Sequence, residues 1–178
     1  MRIVSAAQAA ISFGVGAYIT FSQSHAASVG LLALGIFGLG YGILHATTSI
    51  IWGKGLVAIE AIPLAVIAII IGGLSLAVQF SGEAVSAANQ LADLVLLVTA
   101  WGLIVGAFQV YLARRAGFKS RAGRDLIISA SLSIALGVVF LVTPLNAVWA
   151  VGLFSAYLLM SAVHLGLSAT SPVQPSKS

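Results

Sequence analysis

The sequence contains no cysteine and few charged residues. The absence of cysteine from the 178 residues excludes a disulfide framework, a thiolate metal site and a cysteine nucleophile. Charged residues make up 7% of the chain, whereas they are about a quarter of an average soluble domain. Because 60% of the residues are hydrophobic, neither a soluble fold nor a disordered chain fits this composition. We therefore expect the protein to lie in a lipid bilayer.

Long uncharged stretches predict six membrane-spanning helices. No charged residue occurs between Arg2 and Lys54 or between Asp125 and Lys177, and each interval has room for two crossings of about 20 residues. Hydrocarbon offers no partner to backbone N–H and C=O groups, so the spans are expected to be helices. The six predicted spans are 3–21, 26–52, 56–80, 89–113, 126–142 and 147–168. Asp125 is expected to cap the fifth helix, and the chain forms one all-α membrane domain with a polar cytoplasmic tail at 169–178.

The positions of lysine and arginine predict the orientation. With six spans, all eight of these residues fall at one end of the helices and none at the other. Five of them form a basic cluster, Arg114, Arg115, Lys119, Arg121 and Arg124. Because positive residues are retained on the cytoplasmic side, both termini are predicted to be cytoplasmic. General attraction between these residues and anionic lipid headgroups explains the cluster. The alternative is a specific site that binds a lipid headgroup or docks a partner. Nucleic acid is not an expected partner.

The first apolar stretch admits a second interpretation. A signal peptide cleaved after Ala26 would also fit Arg2, the apolar stretch that follows it and the small residues of Ser24-His25-Ala26. Cleavage there would leave five spans. We favour six spans because this stretch is long for a signal peptide and has a partner in an internal repeat.

That repeat predicts three antiparallel hairpins, at about 3–52, 56–113 and 126–168. A shift of 64 residues superposes three positions of the second span on the fourth, namely Gly38 on Gly102, Gly42 on Gly106 and His45 on Gln109. A shift of 119 residues places His45 on His164 in the sixth span. Short turns between consecutive spans make the two helices of each hairpin antiparallel neighbours.

Small residues spaced four apart predict close helix packing rather than chemistry. The three pairs are Gly38 with Gly42, Gly102 with Gly106, and Ser133 with Gly137. Lipid tails give helices no hydrophobic reason to associate, so small residues help by letting two backbones approach and gain dispersion contacts. We therefore expect these six residues at contacts between helices.

The last hairpin resembles the short hairpin repeat of the HdeD-type membrane proteins. The resemblance rests on residues 136–144 (LGVVFLVTP), on Trp149 and Tyr157, and on residues 161–164 (SAVH). In that family an apolar helix containing glycine ends in a hydrophobic-x-x-Pro turn, and a helix with small residues near its end follows. The resemblance implies a six-span protein of a bacterial inner membrane with a link to acid resistance, and it brings no catalytic motif.

Glu60 is a candidate site within the third span. It lies three residues before Pro63, and a proline at that position frees the backbone carbonyl of Ile59. A carboxylate beside a free carbonyl is a candidate proton or cation site. The favoured interpretation is an interfacial carboxylate that reaches water or pairs with Lys54.

His45, Gln109 and His164 are candidates because the repeat places them at equivalent depths. If the three side chains converged, they would form a proton-responsive set, since imidazole titrates near pH 6.5. A metal is not expected there, because Gln is a poor ligand and no carboxylate is placed to help. The favoured interpretation is that each side chain is bonded to a neighbouring helix or lies at the interface.

Two functional hypotheses follow. Motifs for nucleotide binding, zinc proteases and serine hydrolases are missing and only four acidic residues occur, so we expect no enzyme, metal or cofactor. The favoured hypothesis is a small inner-membrane protein with a stress-response, scaffolding or complex-subunit role, either in a homo-oligomer or with other subunits. The alternative is a transporter or channel for a proton or small solute. The two differ in whether the polar side chains face inward together around a wet cavity.

Overall fold

The computed structural model describes residues 2–52, 56–81 and 86–170, and the side chains of 3–51, 62–81 and 86–170. Six helices account for nearly all of this part of the chain, namely α1 (Arg2–Phe21), α2 (Ala27–Trp52), α3 (Leu56–Phe80), α4 (Ala87–Ala116), α5 (Arg121–Val142) and α6 (Ala147–Thr170). Each helix is long and apolar enough to cross a bilayer. The predicted all-α, six-span, multi-pass membrane architecture is confirmed. The predicted tail lies mostly outside the described residues.

Consecutive helices run in opposite directions, which gives the bundle two chemically different ends. The connection at 117–120 and the basic cluster lie at one end, which we call the basic end. The connections at 22–26 and 143–146 lie at the other end, the neutral end. Cluster residues Arg114 and Arg115 are in the last turn of α4.

The turn at 117–120 is tight and well capped. Gly117 has φ 83°, a left-handed conformation that glycine adopts without strain and that ends α4. The Ser120 hydroxyl accepts a hydrogen bond of 2.9 Å from the Gly123 backbone N–H, so Ser120 caps α5. The prediction that Asp125 is the cap is therefore wrong, because the Arg121–Arg124 segment forms the first turn of the helix.

The closest packing joins α2 to α3, α4 to α5 and α6 to α1. Each of these contacts joins two different predicted hairpins rather than the two helices of one hairpin, and the repeat of hairpins stays a prediction. At the α2–α3 crossing, a Cβ atom on Gly38 would lie 2.9 Å from the Ala68 carbonyl oxygen. At the α4–α5 crossing, a Cβ on Gly102 would lie 2.5 Å from the Ser133 carbonyl oxygen and 2.7 Å from Gly137 Cα. The two backbones touch at both crossings.

The second glycine of each pair, Gly42 in α2 and Gly106 in α4, makes similarly close contacts at the same two crossings. A Cβ on Gly42 would lie 2.6 Å from Ile69 Cγ1 and 2.9 Å from the carbonyl oxygen of Ala65 in α3. A Cβ on Gly106 would lie 2.6 Å from Ile134 Cγ1 and 3.2 Å from the carbonyl oxygen of Ala130 in α5. Each α5 partner lies 65 residues after its α3 counterpart. The glycine pairs of α2 and α4 therefore face equivalent surfaces.

Hydroxyl groups bridge the α6–α1 contact. The Ser155 hydroxyl donates a hydrogen bond of 3.0 Å to the Gly16 carbonyl oxygen, and Thr20 Oγ1 lies 2.9 Å from Ser155 Oγ. A Cβ on Gly16 would lie 3.0 Å from the Leu159 side chain. Since lipid offers no hydrogen-bond partner, short hydroxyl-to-backbone bonds of this kind hold helices together in a bilayer.

Candidate functional site

Aromatic side chains fill the middle of the bundle. Phe37 and Tyr41 extend from α2, Trp101 from α4, and Phe154 and Tyr157 from α6. The ring centroids of Phe37 and Trp101 are 5.0 Å apart, those of Tyr41 and Trp101 are 5.3 Å apart, and both pairs meet edge to face. Trp101 and Phe154 have no exposed surface. We call these five residues the aromatic plug.

A chain of hydrogen bonds begins at the plug and runs toward the basic end. Trp101 Nε1 donates to the Tyr157 hydroxyl over 3.2 Å, and the Ser133 hydroxyl lies 3.1 Å from the same oxygen. Ser133 Oγ also donates to Gln109 Oε1 over 3.5 Å, and the Gln109 side chain is a hydrogen-bond partner of Tyr41. All five residues are buried. We call them the buried polar network, and it joins four helices.

His45 lies beside the network on the side of the basic end. Its ring centroid is 4.4 Å from that of Tyr41, which lies one helical turn earlier in α2. The amide nitrogen of Gln8 in α1 donates a hydrogen bond to His45 Nε2. Gln8 is buried, so this pair adds a fifth helix to the polar contacts.

The structure brings together two of the three residues that the repeat relates. His45 and Gln109 both contact Tyr41. His164 instead places Nε2 3.0 Å from the backbone carbonyl oxygen of Asp125, a contact between α6 and α5. Among the described residues, no group of three or more His, Asp or Glu side chains is placed to hold a metal.

The Glu60 candidate falls outside the described side chains, as does Lys54, so their pairing stays a prediction. The helix that carries Glu60 is described, and α3 continues through Pro63 from Leu56 to Phe80. Pro63 is exposed on the surface of the bundle.

The five cluster residues are exposed at the basic end. Arg121 reaches across to α6, where its Nη2 donates a hydrogen bond of 3.3 Å to the Ser168 carbonyl oxygen. This contact joins the start of α5 to the last turns of α6.

The sequence analysis did not predict that Gln8, Tyr41 and Tyr157 take part in buried hydrogen bonds. It also did not predict that Trp101 donates one of these bonds. One signal was available, because Tyr41 precedes His45 by four residues and side chains at that spacing share a helix face. A second feature gives no such signal. Residues Trp101–Val105 form a π-helical turn within α4, and no proline or charged residue marks the place.

The chain matches no family model, no curated protein and no solved structure. Its function is therefore inferred from the geometry of the described residues.

Proposed function

We propose that this protein is a small non-enzymatic subunit or scaffold of a membrane complex in a bacterial inner membrane. The confinement of lysine and arginine to one end of the predicted spans supports an orientation with both termini and the basic end in the cytoplasm. The resemblance of the last hairpin to HdeD-type proteins agrees with that membrane and with a stress-response setting.

The aromatic plug is the observation that carries this proposal. The buried polar network ends at Trp101, near the middle of α4, and does not continue toward the neutral end. On that side the buried hydroxyls of Ser75 and Ser155 donate to backbone carbonyl oxygens, over 2.7 Å and 3.0 Å, rather than to the network. The buried residues around them include Leu34 and Val151. Polar groups that conduct a solute line a continuous wet path. A network that stops at packed aromatic rings is instead typical of groups that fix helix positions.

A surface suited to a partner helix lies on α6. Gly152 and Ala156 are exposed and spaced four apart, between the exposed side chains of Val148 and Met160. No atom lies within 4 Å of the position that a Cβ on Gly152 would occupy, so this glycine is not explained by packing within the bundle. Exposed small residues at this spacing allow a second helix to approach closely.

Photo-crosslinking from this surface tests the proposal. With a photoreactive benzophenone side chain at Met160, we expect a discrete adduct, with a second copy or another subunit, after illumination of native membranes. The substitution Gly152→Leu should abolish that adduct, because the larger side chain separates the two helices. The same probe at Ile104, an exposed position of α4 whose neighbouring glycines are packed within the bundle, is the control and should give no discrete adduct. An adduct that survives Gly152→Leu, or none at Met160, would contradict a partner surface here.

Proton or small-solute movement is the second candidate function. One observation favours it, namely that the side chains of His45 and Gln109 both contact Tyr41 inside the bundle. Ionisable side chains within a membrane are costly, which is why the partly buried His45 is a candidate functional site.

Flux in reconstituted vesicles separates the two candidates. Because the plug closes the polar network, we expect vesicles containing the wild-type protein to dissipate a pH gradient no faster than protein-free vesicles. His45→Ala should leave that rate unchanged, as should the control His25→Ala at the neutral end. A wild-type flux that His45→Ala removes and His25→Ala preserves would establish the transport function and refute the scaffold.

A further inference from the structure

A shallow groove lies beside the turn that joins α4 to α5 at the basic end. Its volume is about 430 Å³, and Phe118, Arg124, Ile127 and Ile128 line it. Phe118 belongs to the turn and the other three residues to α5. Phe118 and Ile128 are each about half exposed, so the groove opens outward to the surrounding lipid.

The chemistry of the groove changes with depth. Arg124, Ile127 and Ile128 follow the spacing i, i+3, i+4, so they share one face of α5. Because α5 begins at the basic end, the arginine lies about one helical turn, roughly 5 Å, closer to the bilayer surface than the isoleucines. Arginine side chains near helix ends extend toward the headgroups. Of the groove residues on α5, the arginine therefore lies nearer the bilayer surface and the two isoleucines lie deeper.

The surrounding charge favours an anionic occupant. Between residues 114 and 125 there are five basic side chains and one carboxylate, that of Asp125. Each lysine or arginine near an anionic bilayer surface adds to the attraction between the protein and that surface. A second groove, of about 460 Å³ at the neutral end, is lined by Leu91, Val95, Phe140 and neighbouring residues without a charged side chain. Of these two grooves among the described residues, the first combines positive charge with apolar lining residues.

Contacts around the groove hold its walls in place. The Ser120 backbone N–H donates to the Gly117 carbonyl oxygen over 2.9 Å, and the Ser120 hydroxyl caps the helix that carries Arg124. The bond from Arg121 to Ser168 fixes the same turn to α6. A site whose walls are already ordered loses less conformational entropy when a ligand binds.

We propose that this groove binds an anionic phospholipid from the leaflet at the basic end. The lipid phosphate lies against the Arg124 guanidinium, which donates charge-assisted hydrogen bonds to it. The first carbons of one acyl chain lie against Ile127 and Ile128, and the ring of Phe118 packs beside the headgroup. This inference does not depend on the scaffold function.

Native mass spectrometry of the full chain, titrated with phosphatidylglycerol or with phosphatidylcholine of the same acyl chains, tests the site. We expect the wild-type protein to retain one phosphatidylglycerol molecule in preference to phosphatidylcholine. Arg124→Gln should weaken phosphatidylglycerol binding about tenfold, because it removes hydrogen bonds to a charged group. The matched control Arg114→Gln removes the same charge from an exposed arginine outside the groove lining and should cause a clearly smaller loss.

A second variant and a second probe test the apolar part of the site. Ile128→Ser should also weaken phosphatidylglycerol binding, and because Ile128 is about half exposed, the variant is expected to keep the wild-type unfolding temperature. Glycerol phosphate, which has the headgroup charge and no acyl chain, should not displace the lipid. Equal losses in Arg124→Gln and Arg114→Gln would reveal a diffuse basic surface and overturn the proposal. Displacement by glycerol phosphate, or an unaffected Ile128→Ser, would overturn the phospholipid as occupant.

Discussion

Gly102→Ala is expected to lower the free energy of unfolding by about 1–3 kcal/mol, the usual cost of overpacking a well-packed core. The new Cβ would lie 2.5 Å from the Ser133 carbonyl oxygen and 2.6 Å from the Gly137 backbone nitrogen. Both are backbone atoms, so a side-chain rotation cannot relieve the clash and α4 must move away from α5. Alanine has the better helix propensity, but that gain is at most about 1 kcal/mol and does not offset the clash.

Reversible unfolding in mixed detergent micelles, followed by circular dichroism, measures this loss. Gly73→Ala in α3 is the matched control, because nothing lies within 4 Å of its Cβ position. It makes the same chemical change in a spanning helix and should be neutral or slightly stabilising. Gly38→Ala, with a Cβ 2.9 Å from the Ala68 carbonyl oxygen, should also destabilise the protein. If Gly102→Ala behaved like Gly73→Ala, the close backbone contact between α4 and α5 would be refuted.

Tyr157→Phe is expected to lower the free energy of unfolding by about 1 kcal/mol. The hydroxyl that it removes accepts the hydrogen bond from Trp101 Nε1 and lies 3.1 Å from Ser133 Oγ. Phenylalanine fills nearly the same volume, so packing is kept while the buried indole N–H of Trp101 loses its partner. The cost comes from that unpaired donor, because Trp101 has no exposed surface through which water could replace the hydroxyl.

The same unfolding measurement checks this prediction, with Tyr111→Phe as its control. Tyr111 is 46% exposed, so the loss of its hydroxyl should change stability little. A double-mutant cycle of Tyr157→Phe with Ser133→Ala should show a coupling energy, because the two hydroxyls are in contact. Additive effects in that cycle, or equal effects of the two tyrosine substitutions, would contradict the buried polar network.

The glycine pairs show how far sequence patterns lead in this protein. Gly38 and Gly102 are recognisable as packing positions because hydrocarbon leaves few other uses for repeated small residues in a span. Ser133 is recognisable in the same way, as a member of a small-residue pair, but the pattern does not show which helix each pair contacts. The pairing of Gly102 with Ser133, and of Gly38 with Ala68, depends on how each helix is rotated about its own axis by contacts with residues distant in the sequence.

The histidines show why the candidate site was only partly predictable. His45 and His164 have the same residue type and equivalent predicted depth, yet one lies beside Tyr41 and the other bonds to the Asp125 carbonyl oxygen. Depth follows from the distance along the sequence to the end of a span. The direction in which a side chain points also depends on the neighbouring helix, and the π-helical turn at Trp101–Val105 changes that direction within α4.

The sequence by itself determined the solvent, the helical class and the number of spans. These follow from local properties, because a stretch of about 20 uncharged residues must satisfy its own backbone hydrogen bonds in hydrocarbon. Only the tertiary structure decided that α6 packs on α1 and that Trp101 closes the polar network. Those outcomes depend on how the six apolar helices pack against one another. Hydrophobicity does not distinguish between the possible packing arrangements, so the pairing of helices and the contacts of individual side chains depend on the shapes of the helix surfaces.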